Sequence, residues 1–186
     1  MKILLSAGLA AMLAATSAEA PTSVFPPRPG VEAEPVQLPY GIGDRAGLRP
    51  VRSSNGSVAL TDGPKDVFEL GEQTLVTLSQ APQLEGLKAL PQTRRDQTLR
   101  QLGTEDPELR DVALEALGSA QSGDILRYDI VLRARTVHSD LEVVRMLSFV
   151  FLDESVVRMA ATAPATEREA NLPRFRRLVR SLTLRP

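Results

Sequence analysis

Cysteine and tryptophan are absent from this 186-residue chain, and histidine occurs once, at His138. Without thiols there is no disulfide framework, no cysteine nucleophile and no iron–sulfur cluster, and a single imidazole removes nearly every zinc site. Aromatic residues make up only 4% of the chain, too few for a platform that stacks sugars or bases. Neither sign of charge dominates: 22 basic side chains face 23 acidic ones, whereas a dedicated nucleic-acid binder needs net positive charge on one surface. Phosphate-binding glycine loops are missing as well, so no nucleotide or other cofactor is expected. What is present is apolar material, 42% of residues, enough for the core of one ordinary domain.

Long hydrophobic runs are scarce too. Met146–Leu152 is the size of a strand, and only the N-terminus carries a longer stretch. There Lys2 precedes an apolar run from Ile3 to Ala15, followed by Ala18-Glu19-Ala20. About a dozen residues fall short of the roughly 20 that cross a bilayer, and the small-residue ending is that of a secretory signal peptide. Residues 1–20 therefore read as a leader cleaved after Ala20, with no cysteine behind it to carry a lipid. The mature chain is expected to lack a transmembrane segment and to reside in the periplasm. Arginine outnumbers lysine heavily, lysine occurring only at Lys2, Lys65 and Lys88, and with abundant alanine this composition is typical of a GC-rich bacterial genome.

Seven of the 14 prolines crowd between Pro21 and Pro50. Each removes a backbone donor and fixes φ, so this segment supports neither a helix nor a central strand. Residues 21–55 read as an extended, disordered lead: a spacer, or a docking arm with Phe25, Leu38 and Tyr40 among its apolar anchors. The glycines at 41, 43 and 47 and the turn cluster Ser53-Ser54-Asn55-Gly56 close it, leaving 56–186 as a single folded domain. Within that domain residues 56–123 carry a formal charge of −5 and 124–186 carry +3.

Ser57–Thr61, Val67–Leu70 and Leu75–Gln80 are short β-prone runs separated by turn formers. A helix follows from about Pro91 to Leu102. Residues 107–118 read both ways. Leu109, Val112, Ala113, Ala116 and Leu117 recur at helical spacing behind Asp106-Pro107, while Val112, Leu114 and Ala116 alternate like a strand. Ile125–Thr136 alternates clearly, with Leu126, Tyr128, Ile130, Leu132 and Ala134 opposite Arg127, Asp129, Val131, Arg133 and Arg135. The turn His138-Ser139-Asp140 leads into Leu141–Leu152, apolar on both faces from Met146 onward, and Val156–Ala163 completes a meander. Thr166 and Glu169 have capping-box spacing. A terminal helix beginning near Asn171 and Pro173 places Phe175, Leu178, Val179 and Leu182 on one stripe. The predicted class is α+β, an antiparallel sheet with a C-terminal amphipathic helix and a middle helix packed on one face.

The stretch Phe149–Pro164 and the ending Phe175–Leu182 resemble the PsbP-like fold family of extrinsic photosystem subunits and small exported bacterial proteins. In that family, similarly, a hairpin ending in an apolar-Thr-Ala-like strand precedes a final helix closed by a Ser-apolar pair. The resemblance spans about residues 56–186 and implies a non-catalytic accessory or binding domain without a general active site. It also implies a strand at 107–118.

No catalytic, cofactor or metal residues are assigned. His138 sits beside Ser139 and Asp140 on one tight turn, where a relayed triad cannot form. Glu105-Asp106-Pro107-Glu108 lacks the spaced ladder of a calcium loop and suits helix capping. Arg127, Arg133 and Arg135 line one strand face, and Arg174, Arg176, Arg177 and Arg180 stud the terminal helix. Guanidinium forks at these positions could bind an anionic partner or pair internally. The leading expectation is an exported interaction domain that binds a protein or envelope component. Two alternatives stand beside it: a periplasmic carrier of a small apolar or anionic ligand in a sheet–helix pocket, and a carboxylate-dependent hydrolase using Asp140, Asp153 and Glu154.

Overall fold

The computed structural model describes residues 40–51, 57–64, 70–152 and 155–184. The expected leader at residues 1–20, Phe25, Leu38, most of Val67–Leu70 and Asp153-Glu154 lie outside the described residues.

The chain runs through β1 (Tyr40–Ile42), β2 (Arg49–Val51), β3 (Val58–Thr61) and β4 (Leu75–Gln80). A 3₁₀ segment (Pro82–Ala89) and α1 (Gln92–Thr104) then lead to β5 (Leu109–Ser122), β6 (Ile125–Thr136), β7 (Glu142–Phe151) and β8 (Val156–Pro164). A 3₁₀ turn (Ala165–Glu167), α2 (Arg168–Arg180) and β9 (Leu182–Leu184) finish the fold. Seven strands form one sheet in the order β2-β3-β4-β8-β7-β6-β5, antiparallel throughout, while β1 and β9 pair separately. Two meanders, β2–β4 and β5–β8, are thus joined along β4 and β8, and the helical crossover carries the chain from the sheet's middle to its β5 edge.

Strand β7 decides the layering. Val144, Met146 and Val150 point to one face, where they pack with Phe175, Leu178 and Val179 of α2. Leu147, Phe149 and Phe151 point to the other, where Leu84 and Leu87 of the 3₁₀ segment and Leu99 of α1 cover them. The class is α+β as expected, but the two helices take opposite faces instead of sharing one. A strand apolar on both sides exposes greasy surface wherever a layer is missing, so each face recruits its own cover.

Two further expectations change. The fold reaches back to Tyr40, ahead of residue 56: Tyr40, Ala46 and Leu48 are buried in the α2-side core. β1 pairs with β9, and Gly43 donates its N–H to the Ser181 carbonyl at 3.1 Å. Tyr40 is therefore a core residue and not a docking anchor, because an aromatic side chain with apolar neighbours gains more from burial than from exposure.

The ambiguous stretch is a strand, as the resemblance implies. Two register shifts against β6, between Arg110 and Ala113 and between Leu114 and Ala116, each insert an extra residue, and Asp111 takes φ +53°. Bulges break strict alternation, so the buried and half-buried positions Leu109, Val112 and Leu117 fall at spacings that imitate a helix. Asp106 consequently caps no helix; its Oδ1 accepts the Glu108 N–H at 3.0 Å in a local turn.

Candidate functional site

On the α2 face, the helix covers the centre of the sheet as far as Val131 of β6 and leaves β5 and the outer flank of β6 open. Alternation along β6 sends Arg127, Asp129, Arg133 and Arg135 to this bare strip. The β5 residues opposite them are small: Ala113 faces Arg133, Gly118 faces Asp129 and Ala120 faces Arg127. Large side chains projecting beside small ones produce a strip of hollows between α2 and the sheet edge.

One hollow, about 400 Å³, lies at the end formed by Ala120, Ser122, Ile125, Arg127, Val150, Val179, Arg180 and Leu182. Its floor is apolar, its only ionic groups are the two arginines, and it has no acidic lining. A second hollow, about 250 Å³, lies between Arg133, Glu142 and Glu115 on the sheet and Thr166 and Arg168 beside the helix. Here the charges are mixed, and Arg168 Nε donates to Glu115 Oε2 at 3.0 Å.

Most of the guanidinium groups are held. Arg127 Nε donates to Asp129 Oδ2 at 3.1 Å, and Ser148 Oγ donates to Asp129 Oδ1 at 2.7 Å. Arg135 bridges Asp140 at 2.8 Å and Glu142 at 3.2 Å. The Arg135 hydrogen bond and the charge of Arg110 hold the Asp140 carboxyl below its usual range, and those same carboxylates push Arg135 further up. Arg133, Arg176 and Arg180 have no ion-pair partner among the described residues. Helical spacing puts Arg176 one turn before Arg180 on the hollow's flank. Arg174 and Arg177 lie on the other flank of α2. There Arg174 donates to Asp62 at 2.8 Å and to the Ala46 carbonyl at 3.2 Å, and Arg177 approaches Asp44 at 3.7 Å. The structure thus groups Arg127, Arg133, Arg135 and Arg180 on one surface, and it turns Arg174 and Arg177 toward the N-terminal strands.

Of the hydrolase candidates, Asp140 alone lies among the described residues. Asp140 is neutralised by two arginines, Ser139 Oγ shares a hydrogen bond with Thr136 Oγ1 at 3.0 Å, and His138 is exposed on the turn. Asp153 and Glu154 lie outside the described residues. Among the described residues, no three carboxylate or imidazole groups converge as a metal site.

Sequence reasoning missed Arg168 and Glu115, as well as a buried ion pair on the α1 face. Arg145 Nη1 lies 3.1 Å from Asp106 Oδ2, with side chains only 6% and 7% exposed. Burial foremost, with the charge of Arg145, lowers the Arg158 guanidinium from its usual value. A charged residue inside a strand apolar on both faces was the available signal for Arg145.

Cyanobacterial PsbP (CyanoP) from Synechocystis sp. PCC 6803 aligns with TM-score 0.51 and 16% identity, over 79% of this chain and 87% of its own. The fold is PsbP-like. The Saccharomyces cerevisiae Ran-binding protein Mog1p aligns equally well, TM-score 0.51 and 13% identity, over 74% of this chain and 86% of its own. PA94 of Pseudomonas aeruginosa aligns with TM-score 0.48 and 11% identity, over 75% of this chain and 98% of its own. No family model and no curated protein matches the sequence. At these identities the likeness concerns the fold alone. No helix among the described residues is long and apolar enough to cross a membrane.

Proposed function

We propose that this chain is an exported, non-catalytic interaction domain, binding a protein of the cell envelope through the bare strip between α2 and β5. The observation that carries the reading is the pair of guanidinium groups, Arg133 and Arg180, left without counter-ions on a concave surface otherwise laced with ion pairs. Arg180 lines the partly apolar hollow and Arg133 the mixed-charge one, and unpaired arginines in hollows suit recognition of a protein's carboxylates. One fold neighbour is described as a Ran-binding protein, which is compatible with protein recognition on this scaffold. The proline-rich lead would act as a spacer or arm between the envelope and the domain, and N-terminal sequencing of the exported product should begin at Pro21.

The reading is tested by passing an envelope extract over the immobilised chain and over an Arg133→Glu/Arg180→Glu double variant whose thermal melt matches the parent. A partner retained by the parent and lost by the variant supports the strip as the binding surface. Equal retention moves the surface elsewhere.

A second reading, a carrier of a small amphipathic anion, is favoured by one observation: the 400 Å³ hollow has an apolar floor beneath two arginines. Native mass spectrometry of freshly purified protein would reveal such a ligand as a discrete added mass.

A further inference from the structure

Strand β5 is an edge of the sheet, with β6 its only partner among the described residues. Sheet edges present unpaired N–H and C=O groups, and proteins blunt them with charges, bulges and prolines. Here the protection is confined to one half. Both register shifts and the charged residues Arg110, Asp111 and Glu115 belong to the first part of the strand. From Ala116 to Ser122 the ladder with β6 is regular, every residue is uncharged, and all but Leu117 are exposed.

The unprotected half coincides with the arginine hollow, since Ala120 and Ser122 belong both to the open edge and to the lining. An added strand would lie one strand spacing outside β5, so its residue opposite Ala120 would be roughly 10 Å from Arg127 across the row. Nothing larger than the Ala120 methyl stands between them in that row, and because Arg127 holds Asp129 through Nε, a glutamate reaching inward meets its remaining guanidinium N–H groups. Arg180 closes the hollow from the helix side.

We propose that Ala116–Ser122 receives an extended segment of a partner protein as an eighth strand, with a glutamate of that segment seated between Arg127 and Arg180. The backbone edge would supply affinity and the hollow would supply specificity. The proposal rests on the protein-binding reading above and names its mode. A second copy of this chain is a poorer occupant, because its own Ala116–Ser122 segment carries no acid to offer the two arginines.

A display library of random nine-residue segments, panned on the full chain, tests this directly. Enriched segments should alternate apolar and polar residues around a recurrent glutamate. As synthetic peptides followed by fluorescence anisotropy, they should lose at least about tenfold in affinity to Arg180→Glu. Alternate N–H groups of an edge strand point outward, so one of Gly118→Pro and Ser119→Pro blocks the edge without touching the β6 ladder. The variant that keeps the parental melt is the informative one, and it should abolish binding. Amide exchange within 116–122 should slow when peptide is bound. Peptides that ignore both the proline and Arg180→Glu, yet are lost on Arg133→Glu, would refute strand addition while sparing the protein-binding reading. Failure to enrich any segment, together with no partner retained from the extract, would overturn both. Concentration-dependent dimerisation abolished by the proline would replace the partner segment with a second copy.

Discussion

Removing one member of the Arg145–Asp106 pair should be far more damaging than its single contact suggests. Arg145 lies near the centre of the sheet, between Leu132 of β6 and Thr162 of β8. Both charges are nearly sealed from water and lie 3.1 Å apart. Asp106→Ala strands a guanidinium in a low-dielectric layer, a change that costs roughly 3–5 kcal/mol when a buried pair is broken. Loss of the hydrogen bond to the Glu108 N–H adds about 1 kcal/mol. Glu108, 3.5 Å from Arg145, offsets part of this, but its side chain is 60% exposed and an exposed partner returns at most about 1 kcal/mol. A net loss of about 3–5 kcal/mol is expected, a large share of the roughly 5–15 kcal/mol typical of a domain. Arg145→Met keeps the volume and removes the charge. Asp106 retains Arg158 at 3.9 Å, so this variant should lose less than half as much. Urea unfolding followed by circular dichroism measures both, with the slope unchanged if the denatured state is unaffected. The reasoning fails if Asp106→Ala lies within 1 kcal/mol of the parent, or if Arg145→Met is the worse of the two.

Tyr40 is fully buried, burial raises its phenol to about 12, and its hydroxyl has no hydrogen-bond partner among the described residues. The folded state therefore holds its proton more tightly than the unfolded chain, and stability present below pH 10 should fall by up to about 3 kcal/mol as pH rises toward 12. Tyr40→Phe should remove that slope and leave neutral-pH stability equal or higher; a loss above 1 kcal/mol at pH 7 would mean the hydroxyl is satisfied. Asp62 behaves oppositely. Burial works to raise its carboxyl, but hydrogen bonds from Arg174 and Thr74 prevail and lower it. Its contribution is present above the unfolded carboxylate range near pH 4 and is lost as pH falls through the lower folded value, so Asp62→Asn should flatten the acid limb of a pH–stability curve. Deleting residues 21–39 should leave the thermal melt unchanged, whereas deleting 21–51 should cost at least about 4 kcal/mol through lost burial of Tyr40, Ala46 and Leu48.

Periodicity was legible wherever one residue per step told the story. Ile125–Thr136 was read with its true ends and both faces, and the stripe Phe175, Leu178 and Val179 is buried as its spacing required, whereas Leu182, also buried, belongs to β9 because the helix stops at Arg180. Reading failed where geometry is non-local. Each three-residue strand, β1 or β9, is too short to show a period, and together they are held by pairing across the whole length of the fold. The prolines and glycines around Tyr40 described a loose lead locally, yet burial of Tyr40 and Leu48 outweighs those preferences. The layer assignment failed for a related reason. A strand that is apolar on both faces demands two covers, and that demand was visible in Met146–Leu152 but was met with one. For the site, the arginines of β6 were found from alternation, whereas which helix arginines join them depends on the rotation of α2 about its axis. That rotation is set by the Phe175 stripe and leaves Arg180 inboard and Arg174 outboard.

The bulges of β5 explain how an exposed edge of this length can persist, and they can be removed. Between Arg110 and Ala113 the strand takes three steps while β6 takes two from Arg135 to Arg133. Deleting Asp111 therefore makes the ladder regular from Leu109 to Leu114, leaving the second shift before Ala116 in place, without changing the face of any downstream residue, and it places Val112 opposite Ala134, on the side where both already pack. It also discards a non-glycine residue at positive φ, so stability should stay within about 1 kcal/mol of the parent. The edge, however, loses one of its two bulges and a charge together, and only Arg110, Glu115 and the second bulge still protect it. Edge-to-edge pairing should then follow, detectable by sedimentation velocity as a concentration-dependent dimer or larger species. A variant that folds normally and stays as monodisperse as the parent would show that the bulge does not guard the edge, and the contrast between a protected and an open half of β5 would lose its physical basis.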